Sequence, residues 1–273
     1  YDSEPLDSPL EILGRPVATL GVSADAPQAN WVVRITDVAH DAQGTQVAGA
    51  AFNGTHRYSA RDPEDLVPAE LFPLDIDLHF TSWVFPKGHR IRVAVSNSQW
   101  PMLWPTAMSM ESTLETGGEI GTRIRMPVVP SGDVRNPNFK EPRPDPVLPG
   151  YETLNAGNST GSAAITSIQQ DPETGQAVGF ANNTGATRYP RGIERFEEEI
   201  EHRTSDTDPA RTSVVGRYKL TEELEDRVLE FEQTVDFRSD AENFNMSFHR
   251  WVLVNGEVFV EKTWDEVIPR DFQ

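Results

Sequence analysis

Between residues 71 and 83 the chain alternates: Leu74, Ile76, Leu78 and Phe80 fall on one side, and Asp75, Asp77, His79 and Thr81 on the other. A period of two is what a strand with one buried face requires. The same rhythm returns at Trp31, Val33 and Ile35, and again at Ile91, Val93 and Val95. Turn signals separate these runs, at Asp25-Ala26-Pro27, Asp41-Ala42-Gln43-Gly44, Asn53-Gly54 and Pro86-Lys87-Gly88. Short strands at this spacing predict an all-β fold, a sandwich or jelly roll over residues 1–126, because a sheet with one apolar face must cover it with another sheet.

From Pro127 to Pro149 the rhythm stops, and seven prolines fall in that stretch. Proline cannot donate to a strand ladder, so residues 127–149 read as an extended connector. Alternation resumes at Leu229, Phe231, Val235 and Phe237, then at Phe244, Met246, Phe248, Val252 and Val254. Asn255-Gly256 follows directly and precedes Val258, Val260 and Trp264, a strong hairpin signal because both turn residues tolerate positive φ. Residues 150–273 are therefore expected to form a second antiparallel region, ending in a β-meander. Arg195 to His202 is ambiguous: Phe196 and Ile200 stand four apart, as on a helix, yet strands surround them, which favours a strand.

Charge narrows the range of partners. There are 43 acidic and 24 basic residues, a formal net charge of −19, which repels phosphate backbones and anionic lipid and argues against nucleic acid as a partner. No apolar run approaches the roughly 20 residues of a membrane helix, so a soluble protein with no membrane partner is expected. With no cysteine there is no thiolate metal site and no cysteine nucleophile. The first residues, Tyr1-Asp2-Ser3-Glu4, carry neither a basic start nor an apolar signal core; they look internal to a longer chain, and a cytoplasmic location is the default.

Catalytic patterns are scarce. Gly157-Asn158-Ser159-Thr160-Gly161 has the G-x-S-x-G spacing, but the elbow needs an apolar strand before it and a helix after it, and Tyr151 to Ala156 supply no such strand. Ser159 therefore reads as part of a small-residue loop, and no catalytic residue is assigned. None of His40, His56, His79, His89, His202 and His249 shows metal-ligand spacing, and Asp206 with Asp208 lacks the glycine and distal glutamate of a calcium loop. No metal and no cofactor are expected. Asp37 stands at a strand end, where a carboxylate accepts backbone N–H groups or pairs with an arginine. His89 and Arg90 follow a Pro-Lys-Gly turn and read as structural turn residues that hold neighbouring loops. Ser98 to Pro105 places Trp100, Met102 and Trp104 in a stretch that two prolines should keep extended. Three readings stay open for it: edge-of-core packing, a docking or pocket-wall surface, and an aromatic platform for sugars.

Three ordered blocks carry a family resemblance. Pro9-Leu10-Glu11-Ile12-Leu13-Gly14, Trp31 to Val38, and Pro86-Lys87-Gly88-His89-Arg90-Ile91-Arg92 resemble the C-terminal domain of the X-Pro dipeptidyl-peptidase and cocaine-esterase-like (CocE/NonD) serine hydrolases. Ile35-Thr36-Asp37-Val38 departs slightly, with Ile35 where the family's Leu-x-Asp-Val-like strand has Leu. Ser205 to Pro209 and Val258 to Phe272 resemble, more loosely, the tail of longer members. The resemblance implies a galactose-binding-like jelly roll packed on an α/β-hydrolase domain earlier in the same polypeptide, which holds the whole Ser-His-Asp triad. On that reading the chain is an accessory region, inactive by itself, and that missing domain is its partner. The alternative is a carbohydrate-binding jelly-roll module using Trp83, Trp100 and Trp104. A docking surface left uncovered would be exposed or hidden by self-association, so a homo-oligomer is also an open expectation.

Overall fold

The structure, a computed structural model, describes residues 1–130, 138–143, 146, 148–157 and 167–273. It is built of antiparallel β-strands, with a single turn of 3-10 helix at Gly54–His56 and no α-helix among the described residues. Among the described residues no helix is long and apolar enough to cross a membrane. The chain divides into two compact units, Tyr1–Asn136 with Phe272–Gln273, and Pro137–Asp271.

The first unit contains β1 (Leu10–Gly14), β2 (Val17–Ala24), β3 (Asn30–Val38), β4 (Gly44–Asn53), β5 (Phe72–Asp77), β6 (Thr81–Phe85), β7 (Arg90–Ser96), β8 (Ser112–Glu115) and β9 (Arg123–Arg125). β4-β3-β7 form one sheet, β5-β2-β8 with β9 another, and β1 pairs with β6. The alternation read from the sequence supplies the core between them. Ala18, Leu20 and Val22 of β2, Val33 and Ile35 of β3, and Leu74 and Ile76 of β5 are all buried, and Ile91, Val93 and Val95 of β7 pack against them. Full burial of such side chains is worth about 1.5–3 kcal/mol each, which makes this cluster the main source of the unit's stability. Two positions depart from simple alternation. Val32 is 1% exposed, so the middle of β3 is buried on both faces, and Phe80, past the end of β5, is 62% exposed rather than in the core. Asn53-Gly54 also turns the chain differently from a hairpin: Asn53 caps the 3-10 turn, its Oδ1 accepting from the Thr55 backbone N–H at 3.0 Å. Residues 127–129 are tied to β1, Leu13 N–H donating to the Pro127 carbonyl and Val129 N–H to that of Glu11.

The second unit contains β10 (Glu152–Asn155), β11 (Ser167–Asp171), β12 (Gln176–Tyr189), β13 (Gly192–Ser205), β14 (Ser213–Leu224), β15 (Val228–Ser239), β16 (Asn243–Val254) and β17 (Glu257–Pro269). They form one eight-stranded antiparallel sheet in the order β10-β12-β13-β14-β15-β16-β17, with β11 also on β12. Directly paired residues of antiparallel strands point to the same face. The register Phe196↔Leu220↔Phe231↔Val252 and Ile200↔Gly216↔Val235↔Phe248↔Trp264 therefore collects the apolar residues of four or five strands on one face. The other face is charged. Lys219 reaches Glu230 at 2.7 Å and Glu232 at 2.9 Å, and Arg195 reaches Glu223 at 2.9 Å. The ambiguous segment Arg195 to His202 lies within β13, with Phe196 and Ile200 on the apolar face, because a spacing of four also satisfies a period of two. Asn255 (φ 54) and Gly256 (φ 80) make the β16–β17 turn.

Candidate functional site

In the first unit two of the family-like blocks, Trp31 to Val38 and Pro86 to Arg92, meet at Asp37. β3 carries this carboxylate to its C-terminal end, where it is 5% exposed. Oδ2 accepts from the Trp83 indole N–H at 3.0 Å, and Oδ1 accepts from His89 Nδ1 at 2.8 Å. The sequence had suggested backbone N–H groups or an arginine as its partners. Two side chains from other strands take that place, because β6 and the turn before β7 converge on the end of β3. A buried carboxylate needs such charge-assisted bonds, since leaving it unpaired costs several kcal/mol.

Beyond His89 stands His40, edge-on to it with ring centroids 5.5 Å apart. The His40 ring in turn packs on Gly88, whose φ is +84° and where a Cβ would lie 2.5 Å from the His40 ring. Arg90 extends the network to the N-terminal segment, one guanidinium N–H donating to the Ser3 carbonyl at 2.6 Å. Trp83 and His40 were not singled out with Asp37 from sequence; only the alternation that puts Asp37 and Trp83 at strand positions hints at them. An Asp–His pair can orient a catalytic base, but a base also needs a nucleophile within hydrogen-bond reach. What faces the His89 ring here is another imidazole edge, so the arrangement works as a clasp joining β3, β6 and the β7 turn.

The segment after β7 is the second candidate. It is not extended as its prolines suggested: Leu103 N–H donates to the Gln99 carbonyl at 2.9 Å, closing a turn over residues 99–103. Proline restricts φ but does not forbid a turn, and here the chain folds back. Trp100 and Trp104 are half-buried and meet edge-on, centroids 5.0 Å apart at an interplanar angle of 88°. Met102 projects from the same turn and is 80% exposed. Rings at right angles do not offer the coplanar surface on which a sugar stacks, and Trp83 is committed to Asp37.

The remaining sequence candidates are dispersed. Ser159 and its G-x-S-x-G neighbours Asn158, Thr160 and Gly161 lie outside the described residues. Asp208 sits in an exposed turn and pairs with Arg211 at 3.3 Å, while His249 lies in β16 beside Glu261 of β17 at 2.7 Å. Among the described residues no group of three or more His, Cys, Asp or Glu side chains has the geometry to hold a metal ion. A polar cavity of about 460 Å³ in the second unit is flanked by Arg203 and Arg238, which sit on either side of Ser213 in register. Each arginine is already held by the acid two residues before it, Glu201 and Asp236 respectively.

Comparison with known proteins bears on the first unit. Residues 1–126 match the family described as the X-Pro dipeptidyl-peptidase C-terminal non-catalytic domain. A protein of Mycobacterium bovis named as a serine esterase is 28% identical over 152 residues, covering 47% of this chain and 23% of its own length. Cocaine esterase of Rhodococcus is 32% identical over 101 residues, covering 37% of this chain and 18% of its own. The chain thus spans less than a quarter of either relative. Among solved structures, an aminopeptidase from a marine sediment archaeon is similar at 25% identity with a TM-score of 0.46, over 48% of this chain and 25% of that one. Residues 1–126, which hold the ordered blocks from Pro9 to Arg92, are thus similar to the family described as the X-Pro dipeptidyl-peptidase C-terminal non-catalytic domain.

Proposed function

We propose that this chain is the accessory C-terminal region of a larger serine hydrolase of the acyl esterase or X-Pro dipeptidyl-peptidase class. It stabilises an α/β-hydrolase domain of the same polypeptide and lends a wall to its substrate pocket. The observation that carries this reading is the match of residues 1–126 to a non-catalytic domain, together with the chain's similarity to relatives named as esterases. Bond cleavage would then proceed through an acyl-enzyme on the hydrolase domain, whose triad and oxyanion hole are its own. The turn over residues 97–106 is the proposed contact. Met102 is an unbranched, polarisable side chain suited to an irregular partner surface, and the edge-on pair Trp100 and Trp104 stands in the same turn.

Two experiments test this. The purified chain, assayed on nitrophenyl esters and X-Pro arylamides, is expected to show no turnover; activity lost in Ser159→Ala would overturn the accessory role. In the complete hydrolase, Met102→Glu is expected to raise KM or lower thermal stability of the hydrolase domain while the isolated chain stays as stable as before. Unchanged kinetics and unchanged stability would remove the 97–106 turn from the interface.

A further inference from the structure

The second unit ends its sheet on an unusually long open edge. β17 pairs with β16 on one side, and no strand pairs it on the other among the described residues. Apart from Trp264 its residues are exposed, including Val260 at 50% and Ile268 at 46%. A bare edge of this length presents a row of unpaired N–H and C=O groups, a template for another strand. We infer that the edge is a dimerisation surface, and that its occupant is β17 of a second copy, running antiparallel about a two-fold axis through Trp264.

The sequence of the edge selects that arrangement. From Val260 to Ile268 the strand is regular, its one irregularity falling before Val260. Val260, Lys262, Trp264, Glu266 and Ile268 point to the apolar face, since their partners in β16 are Val252, Arg250, Phe248, Met246 and Phe244. A two-fold axis perpendicular to the sheet keeps that face continuous across both copies. With the axis on Trp264, Val260 stands opposite Ile268 of the second copy, Lys262 opposite Glu266, and Trp264 opposite Trp264. On the charged face Glu261 stands opposite Val267, and Thr263 opposite Asp265. Every charge meets an opposite charge or a neutral side chain, and on the apolar face the aliphatic Val260 and Ile268 meet each other.

Neighbouring placements fail on charge. An axis moved to Thr263 sets Glu261 against Asp265, and one moved to Asp265 sets Asp265 against itself. An axis on Lys262 opposes two lysines. Like charges directly opposite are destabilising, whereas opposite charges and apolar pairs contribute, so this edge is specific for one register. Charges on an exposed edge commonly serve to block association. Here the same charges block the wrong registers and leave one open. Lys262, now 4.5 Å over the Trp264 ring of its own strand, has only to swing along the same face to reach Glu266.

Association of the full chain is measured by sedimentation velocity across protein concentration at about 0.15 M salt. The Debye length there is about 8 Å, which leaves contacting pairs effective while most of the −19 charge on each copy is screened. A concentration-dependent dimer is expected. Lys262→Glu and Glu266→Lys should each weaken it at least tenfold, and the double variant carrying both should restore it, which misfolding could not mimic. Because the chain has no cysteine, single introduced cysteines report the register. Trp264→Cys should cross-link between copies more readily than Thr263→Cys or Asp265→Cys. A monomer at every concentration, a dimer indifferent to both charge reversals, or cross-linking strongest at position 263 or 265 would overturn the inference.

Discussion

At the scale of single residues, Asp37 is the position on which most of the first unit's polar structure turns. Its carboxylate binds one donor from β6 and one from the turn before β7 while itself 5% exposed. Asp37→Asn keeps the shape but presents an amide N–H₂ to one of two donors. It is expected to destabilise the unit by about 2–3 kcal/mol in urea unfolding, because a hydrogen bond to a charged group is lost and a buried donor is left facing another donor. A loss under about 0.5 kcal/mol would show that the clasp carries little of the fold. Gly256 makes a second, independent prediction. Its φ of +80° costs a residue with a Cβ about 1–2 kcal/mol, so Gly256→Ala should lower the second unit's stability by about that amount in thermal unfolding. Open space around Gly256 leaves backbone conformation as the sole cause. Asn255-Gly256 was legible in the sequence because its chemistry is local. The pairing of Asp37 with Trp83 and His89 was not, since those residues stand 46 and 52 positions away and only folding brings them together.

At the scale of elements, β13 shows why a short apolar spacing leaves helix and strand undecided. Phe196 and Ile200 satisfy both periods, and what decides is the neighbour on each side: Gly185 and Leu220 opposite Phe196, Ala181 and Gly216 opposite Ile200. His202 sits farther along the same strand and face, between Gly179 and Val214. Burial lowers its pKa below the ordinary histidine value. The neutral imidazole is then favoured in the folded state. Above about pH 6.5, the ordinary value, His202 is neutral folded and unfolded alike, and the folded state has its full stability. As pH falls below that value the unfolded chain binds a proton that the folded chain resists, so stability drops until the lower folded pKa is passed. Denaturant unfolding of the chain between pH 7.5 and 5 should show this decline. His202→Gln, which does not titrate, should flatten the His202 part of it; an identical pH profile in the variant would exclude His202 as a cause.

At the scale of the whole molecule, each unit has its own hydrogen-bonded sheets. The first concentrates its buried apolar side chains in one cluster, whereas the second spreads half-buried apolar residues over a wide sheet face. A fragment of residues 1–130, which keeps the bonds from Pro127 and Val129 to β1, is therefore expected to fold alone with a cooperative thermal transition and a β-type circular dichroism spectrum. A fragment ending at residue 126 would lose those two bonds and should melt at a lower temperature. Absence of any cooperative transition in the longer fragment would mean that the second unit is needed to complete the first.

The sequence by itself determined the all-β character of this protein, most of the faces its strands bury, the β16–β17 turn and the family resemblance of residues 1–126. Periodicity, positive-φ turn residues and ordered motif blocks are all written within a few neighbouring positions. Only the tertiary structure decided that residues 99–103 turn back, that Asp37 is held by Trp83 and His89, and that β17 is left as an open edge. The last two depend on which distant strand lies alongside, and strand order is set by the fit of whole faces rather than by any local run of residues.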